Sequence, residues 1–230
     1  MKWWLLAVLL LAGCGGPAAN TVTVFAASSL TSPFTQIADI YEQQHPGTTV
    51  AVTFGGSADL VAQLEQGAPA SALATADEAT MAKADWTSPQ PFATNAMTIV
   101  IPEGNPGAVR GIADLSNPDL TVVICAPQVP CGAATAAIEQ SAGIDIAADS
   151  EESAVADVLG KVSSGQADAG IVYQSDLGSA GVTGIAIPDS VNAINTYMIA
   201  ARDTRGREFL DTVLSEQGQQ VLADNGFGPP

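Results

Sequence analysis

Hydrophobic positions along this chain switch repeatedly between two periods, and the switches fall on clusters of small or polar residues. Residues 21–25 form an apolar run of strand type. Phe34, Ile37, Ala38 and Tyr41 then recur at i, i+3, i+4 and i+7, the spacing that places apolar side chains on one face of a helix. Between them stand Ser28, Ser29, Thr31 and Ser32, residue types that cap helices, and Pro33, which suits a first turn. The same sequence of events recurs at 49–54, where Val50, Val52 and Phe54 alternate. Gly55-Gly56-Ser57 follows, and Leu60, Val61 and Leu64 then give a second helix its buried face, ended by Gly67 and Pro69.

Further along, the spacing predicts a short buried strand over 70–76, then Asp77 and a helix through Met81, and a strand over 98–101 stopped by the turn cluster 102–106. A helical turn at 112–115 precedes a buried strand at 120–125. The loop 126–132, stiffened by two prolines, leads to an alanine-rich helix over 133–142. Glu152 and Ser153 are placed to cap a helix buried through Val155, Val158, Leu159 and Val162. Strands follow at 168–173, ending on Tyr173, and at 185–188, then a crossing segment at 195–201 and two closing helices, 207–215 and 216–224. Strands alternating with helices predict an α/β fold. Strand–serine–helix junctions on successive parallel strands fall at one end of a sheet, where such folds bind ligands. Each junction offers free backbone N–H groups and the positive end of a helix dipole, which together suit an anion.

Composition narrows what the ligand can be. The chain has 230 residues, a net charge of −17 and only seven Lys and Arg. That excludes the basic stripe nucleic-acid binding requires, and any anion site has to work through neutral N–H and O–H dipoles. The start of the chain, a lysine followed by the apolar run 3–11 and then Leu11-Ala12-Gly13-Cys14, reads as a secretory signal over 1–13. The run resembles the lipobox of bacterial lipoproteins. It implies lipidation at Cys14, a tether over 14–20, and an exported, lipid-anchored chain that touches the membrane through the anchor alone. In an exported protein, Cys125 and Cys131, six residues apart, predict a disulfide across the loop before the alanine-rich helix. The chain-entropy model assigns so short a loop about 2 to 2.5 kcal/mol.

Catalytic chemistry finds little support. The single histidine, His45, sits in a His-Pro-Gly turn and reads as a solvated helix end. No HExxH, P-loop or GxGxxG motif occurs, and no cluster has metal-ligand spacing. Asp59, Asp77 and Asp168 read as surface or cap carboxylates. An α/β enzyme working through Asp168 or Tyr173 is the rival from another class.

Several strings together are similar to the periplasmic molybdate-binding proteins of ABC importers. They are VFAASSLT (24–31), FGGSADLVAQLEQGAPA (54–70), TADEATM (75–81), PQVPCGAAT (127–135), GIVYQSD (170–176) and QQVLADNGF (219–227), in the family's order across nearly the whole mature chain. The resemblance implies a two-lobed periplasmic-binding-protein fold of type II-like form, each lobe a mainly parallel sheet flanked by helices. Lobe I would comprise 21–97 plus 197–230, and lobe II 98–196. It implies a molybdate or tungstate oxyanion held between the lobes and delivered to an ABC permease by a monomer, with no cofactor, no enzymatic activity and no metal beyond the molybdate itself. Carried across one position at a time, the ligand donors would be Ser29 and Ser57 (hydroxyl and N–H), Cys131 and Val155 (backbone N–H) and Tyr173 (phenol). Ser71 stands where the family usually has aspartate, so a contact there is in doubt, and Ser28, a hydroxyl where alanine is common, is a further candidate. A set made only of donors favours a fully deprotonated oxyanion over one that carries a proton. A binder of another tetrahedral oxyanion, such as sulfate, is the alternative within the class.

Overall fold

Two sheets share one long strand, and that strand organises the molecule. The computed structural model describes residues 20–178 and 181–230. The expected signal segment 1–13, Cys14 and all of the tether but Asn20 lie outside the described residues. In the first sheet β1 (Thr21–Ala27) lies parallel to both β2 (Thr49–Gly55) and β3 (Ala72–Thr75). Strand β4 (Gln90–Pro102) enters this sheet with its first half and leaves it with its second. In the second sheet β5 (Val122–Cys125) is parallel to β6 (Ala148–Glu152) and to β7 (Ala169–Tyr173). Strand β8 (Val182–Ala186) runs antiparallel on β4. The chain crosses back on β9 (Ile194–Ala201), which pairs antiparallel with β3 and with β4 from Gln90 to Ala96, while Met97 to Val100 of β4 pairs β7. The result is a two-lobed α/β fold, as expected, with β4 and β9 side by side at the crossing.

Helices follow the apolar spacing. Helix α1 (Thr31–Gln44) buries Phe34, Ile37, Ala38 and Tyr41, and α2 (Ser57–Glu65) buries Leu60, Val61 and Leu64. Phe34 meets Phe92 and Phe209 with ring centroids 5.7 and 5.8 Å apart, so Phe34→Ala would cost about 3–5 kcal/mol. The remaining helices are α3 (Glu78–Lys83), α4 (Pro130–Ala142), α5 (Val155–Ser163), α6 (Thr204–Leu214) and α7 (Glu216–Asp224). An aromatic ladder runs through the crossing: Tyr197 sets its ring edge-on to Phe92, Phe227 and Tyr173 at 6.1, 5.3 and 5.7 Å.

Three expectations are corrected. Strand β6 was not anticipated, because Ala-Asp-Ser-Glu-Glu has no apolar period; β5 recruits it by backbone pairing at the sheet edge. Glu152 therefore sits in a strand, ion-paired with Lys161, and neither it nor Ser153 caps α5, whose N-cap is Ala154. Strand β4 begins eight residues before the apolar run at 98–101, because its polar first half is held by pairing with β9. Finally, none of Ser28, Ser29, Thr31 and Ser32 caps α1, which is preceded by a 3-10 turn over Ser28–Leu30. Their hydroxyls are engaged elsewhere: Thr31 donates to the Ser28 carbonyl and Ser32 to Asn225 Oδ1.

Candidate functional site

The candidate site is a small, narrow cavity between the two sheets, with room for little more than a water-sized group. Ala27, Ser28 and Ser29 reach it from the end of β1, and Gly55, Gly56 and Ser57 from the end of β2. Ala76 lies just past β3, Pro130 and Cys131 open α4, Ser153 to Val155 open α5, and Tyr173 ends β7. The structure thus brings Ser28, Ser29, Ser57, Cys131, Val155 and Tyr173 together around one cavity. Among the described residues, no charged side chain lines it. All of these but Ser28 are buried, and Ser28 is half-buried at the rim.

Most of the helices that open at this end of the molecule lack a side-chain cap. Helices α1, α2, α4 and α5 start at or next to the cavity, and none has a side-chain cap. Helix α3 also starts beside the cavity, one residue past Ala76, but Asp77 caps it by accepting from Thr80 N–H; α6 and α7 start elsewhere, capped by Asp203 and Ser215, which accept from Gly206 and Gly218 N–H. An uncapped helix start leaves backbone N–H donors and the positive dipole end unanswered, so several meeting at one point form an anion cradle without a cation.

Side chains behind the wall hold this arrangement. Ser57 Oγ accepts from Ala76 N–H at 3.1 Å. Ser29 Oγ and Tyr197 Oη are 2.8 Å apart. The Asn195 amide donates to Tyr173 Oη at 3.1 Å and to the Ala76 carbonyl at 3.0 Å, tying the two sides of the cleft to the crossing strand. Burial, with smaller contributions from neighbouring acidic groups, pushes both phenols well above their ordinary range, so they keep their protons. The half-buried Asp176 accepts from Tyr173 N–H at 3.0 Å, and desolvation raises its carboxyl to about 7. The loop before α4 is clamped by the Cys125–Cys131 disulfide, as its spacing predicts. Gly132 is obligatory there, since a Cβ would stand 1.8 Å from the Ala126 carbonyl oxygen.

Other candidates fall away from the cavity. Ser71 lies on a different surface groove with Arg202 and Asp203, and its carbonyl accepts from Arg202 N–H. Asp168 accepts from Thr121 N–H at 2.9 Å, a structural tie, and His45 stacks on Tyr41 at the end of α1. Sequence reasoning missed Tyr197 and Asn195, which stand on β9 among apolar neighbours and carry no motif.

Fold and cleft define a two-lobed binding protein. The chain belongs to the bacterial extracellular solute-binding proteins, whose family model matches residues 22–228. It is 44% identical over 224 residues to the molybdate-binding protein ModA of Mycobacterium tuberculosis, covering 92% of this chain and 86% of that protein. Among solved structures, the periplasmic molybdate-binding protein of Azotobacter vinelandii superposes with a TM-score of 0.80 at 20% identity, covering 91% of this chain and 99% of that one. The sulfate-binding protein SubI of M. tuberculosis gives 0.78 at 19%, covering 91% and 87%. The last two likenesses establish the fold.

Proposed function

We propose that this protein captures molybdate, and tungstate with it, in the interlobe cavity and delivers it to an ABC permease. The single observation that carries the reading is the charge-free cavity where uncapped helix starts meet. An oxyanion placed there would serve as the common cap. Ser29 and Ser57 would donate through hydroxyl and N–H, Cys131 and Val155 through backbone N–H, and Tyr173 through its phenol, with Ser28 available at the rim. The ModA relatives supply the particular oxyanion. Lobe I is assigned to 21–97 plus 197–230 and lobe II to 98–196, and closure about β4 and β9 would trap the ligand. The mature chain would act as a monomer outside the cytoplasm, held to the membrane by lipid on Cys14, and would need no cofactor.

The test is thermal unfolding of residues 20–230 with molybdate, tungstate, sulfate and phosphate titrated separately. A ligand binding only the folded state adds about 2.7 kcal/mol at a hundredfold over its dissociation constant. Shifts with molybdate and tungstate alone support the reading. A larger shift with sulfate moves the function to a sulfate-type binder, and no shift with any of the four rejects it.

A further inference from the structure

Basic side chains are scarce in this protein and unevenly placed. Three of the four arginines, Arg202, Arg205 and Arg207, stand exposed within six positions, where β9 ends and α6 begins. Because β9 runs antiparallel to β3, and β3 parallel to β1, the starts of β1 and β3 lie at this same edge of the first sheet. Arg205 Nη1 donates to the Thr21 carbonyl at 3.4 Å, and Arg202 and Arg205 share a groove with Thr21, Thr23 and residues 67–71. Asn20 is tied to the neighbouring loop: its amide donates to the Gly47 carbonyl at 3.3 Å, and its carbonyl accepts from Thr49 N–H at 3.0 Å. The cavity lies past the opposite ends of β1 and β2.

Charge at this edge runs against the rest of the molecule. Loops 43–49 and 66–71 contain no carboxylate, and 202–207 sets three arginines against Asp203, on a chain of net charge −17. Asp203 is held by Gly206 N–H. Of the carboxylates that border these segments, Glu42 is held by Val50 N–H and Glu208 by the Tyr41 phenol, leaving Glu65 at the end of α2. Cys14 comes six residues before Asn20, a length of chain that reaches about 20 Å at most. A lipid on Cys14 therefore keeps this edge close to the headgroups.

We propose that this edge of lobe I, centred on Arg202, Arg205 and Arg207, is a docking surface for the headgroups of an anionic bilayer. A body of charge −17 is repelled by such a surface, and repelled least where the arginines gather, so an anchored molecule turns that edge inward. Neither part works alone. Without the anchor the net charge drives the protein off, and without the arginines the anchored protein has no preferred face. In the docked pose lobe I stands between the membrane and the cavity, which stays on the solvent side where ligand arrives. The inference rests on lipidation at Cys14 and is independent of which oxyanion the cavity takes.

Trp86 makes the pose measurable. It is the one tryptophan after Cys14, and the Arg202 guanidinium carbon lies 4.6 Å from its ring centroid. Energy transfer from Trp86 to a dansyl-headgroup lipid therefore reads how near this edge stands to the bilayer. The chain from Cys14 onward is coupled through that cysteine, the one outside the disulfide, to a maleimide lipid. The vesicles are phosphatidylcholine alone or an equal mixture with phosphatidylglycerol, each at low and high salt. Transfer should be greater on the mixed vesicles and fall to the neutral-vesicle value at high salt. Each arginine at an anionic surface is worth about fivefold in the ratio of docked to undocked molecules, so Arg205→Gln with Arg207→Gln should lower it about 25-fold. Unfolding temperatures confirm that the pair folds, and Arg207→Gln alone, expected to cost about fivefold, serves if it does not. Arg110→Gln makes the same charge change in lobe II and should leave transfer unchanged. Equal wild-type transfer on the two vesicles overturns the proposal, as does a loss in Arg110→Gln as large as in Arg207→Gln. Mass spectrometry of the protein extracted from its own membrane tests the anchor separately. An unlipidated Cys14 rejects the anchor and this surface with it, whereas a lipidated chain with equal transfer on both vesicles rejects the surface alone.

Discussion

A Cβ on Gly56 would stand 2.4 Å from the carbonyl oxygen of Ser153, so the turn that opens α2 and the turn that opens α5 meet backbone to backbone across the cleft. Gly56 has φ −60° and ψ 132°, which alanine adopts freely, so the obstacle to a side chain is the opposite lobe and not the local backbone. Gly56→Ala should therefore fold normally and fail to close. Calorimetry should show oxyanion affinity reduced at least about tenfold, a loss of some 1.4 kcal/mol. The unfolding temperature of the ligand-free protein should not fall.

Ser57→Ala and Tyr173→Phe should separate binding from stability. On the proposed reading each would remove a donor to the oxyanion, worth about 1.5–3 kcal/mol, so affinity should fall roughly 10- to 150-fold in both. Ser57→Ala also strands the buried Ala76 N–H and should lower stability by about 1–3 kcal/mol. Tyr173→Phe leaves the Asn195 amide bonded to the Ala76 carbonyl and should cost less. Denaturant unfolding beside ligand titration reads both quantities.

Breaking the disulfide should act on stability and on binding together. Cys131 carries a backbone N–H at the start of α4, and its bond to Cys125 closes the loop beneath it. Reduction, or Cys125→Ser with Cys131→Ser, should lower unfolding free energy by about 2 kcal/mol. Oxyanion affinity should fall as the helix start loosens. Equal affinity with and without reductant would mean that Pro130 and Gly132 alone hold the loop.

The pH dependence should centre on Asp176. Its carboxyl is raised from 3.8 to about 7 by desolvation, so the folded protein disfavours its ionised form. The stability this contributes is fully present below pH 3.8 and is lost as pH rises through about 7. Glu152, lowered mainly by its hydrogen bond to Lys161, works the other way, but only below its ordinary 4.5. Between pH 5 and 8 the ligand-free protein should therefore gain stability on acidification, and molybdate should bind better as the nearby negative charge is neutralised. Asp176→Asn keeps an acceptor for Tyr173 N–H and should flatten both slopes.

Much of the fold was legible because burial imposes a period. The apolar faces of α1 and α2 fall on the side chains that spacing selects, and the strands at 49–54, 120–125 and 168–173 lie close to their observed bounds. What escaped was held by pairing instead of burial. Strand β6 and the first half of β4 are polar, and β5 and β9 make them strands. The six candidate donor positions do meet, because the ends of β1, β2 and β7 and the starts of α4 and α5 open on one place. Their serines were read partly as caps, and that reading was wrong: no side chain caps α1 or α2, and Ser29 and Ser57 hydrogen-bond instead to Tyr197 and to Ala76 N–H.

The sequence by itself determined the alternation of strands and helices, the scarcity of positive charge that favours neutral donors, and the cysteine spacing that closes the loop before α4. These are local properties, set by residue type and by distances along the chain. Only the tertiary structure decided which hydroxyls face the cavity and what stands behind each. Tyr197 lies 168 residues from Ser29, and Asn195 22 from Tyr173. A hydrogen bond is short and directional, so its partner is chosen by the packing of β9 against both sheets, which no local pattern encodes.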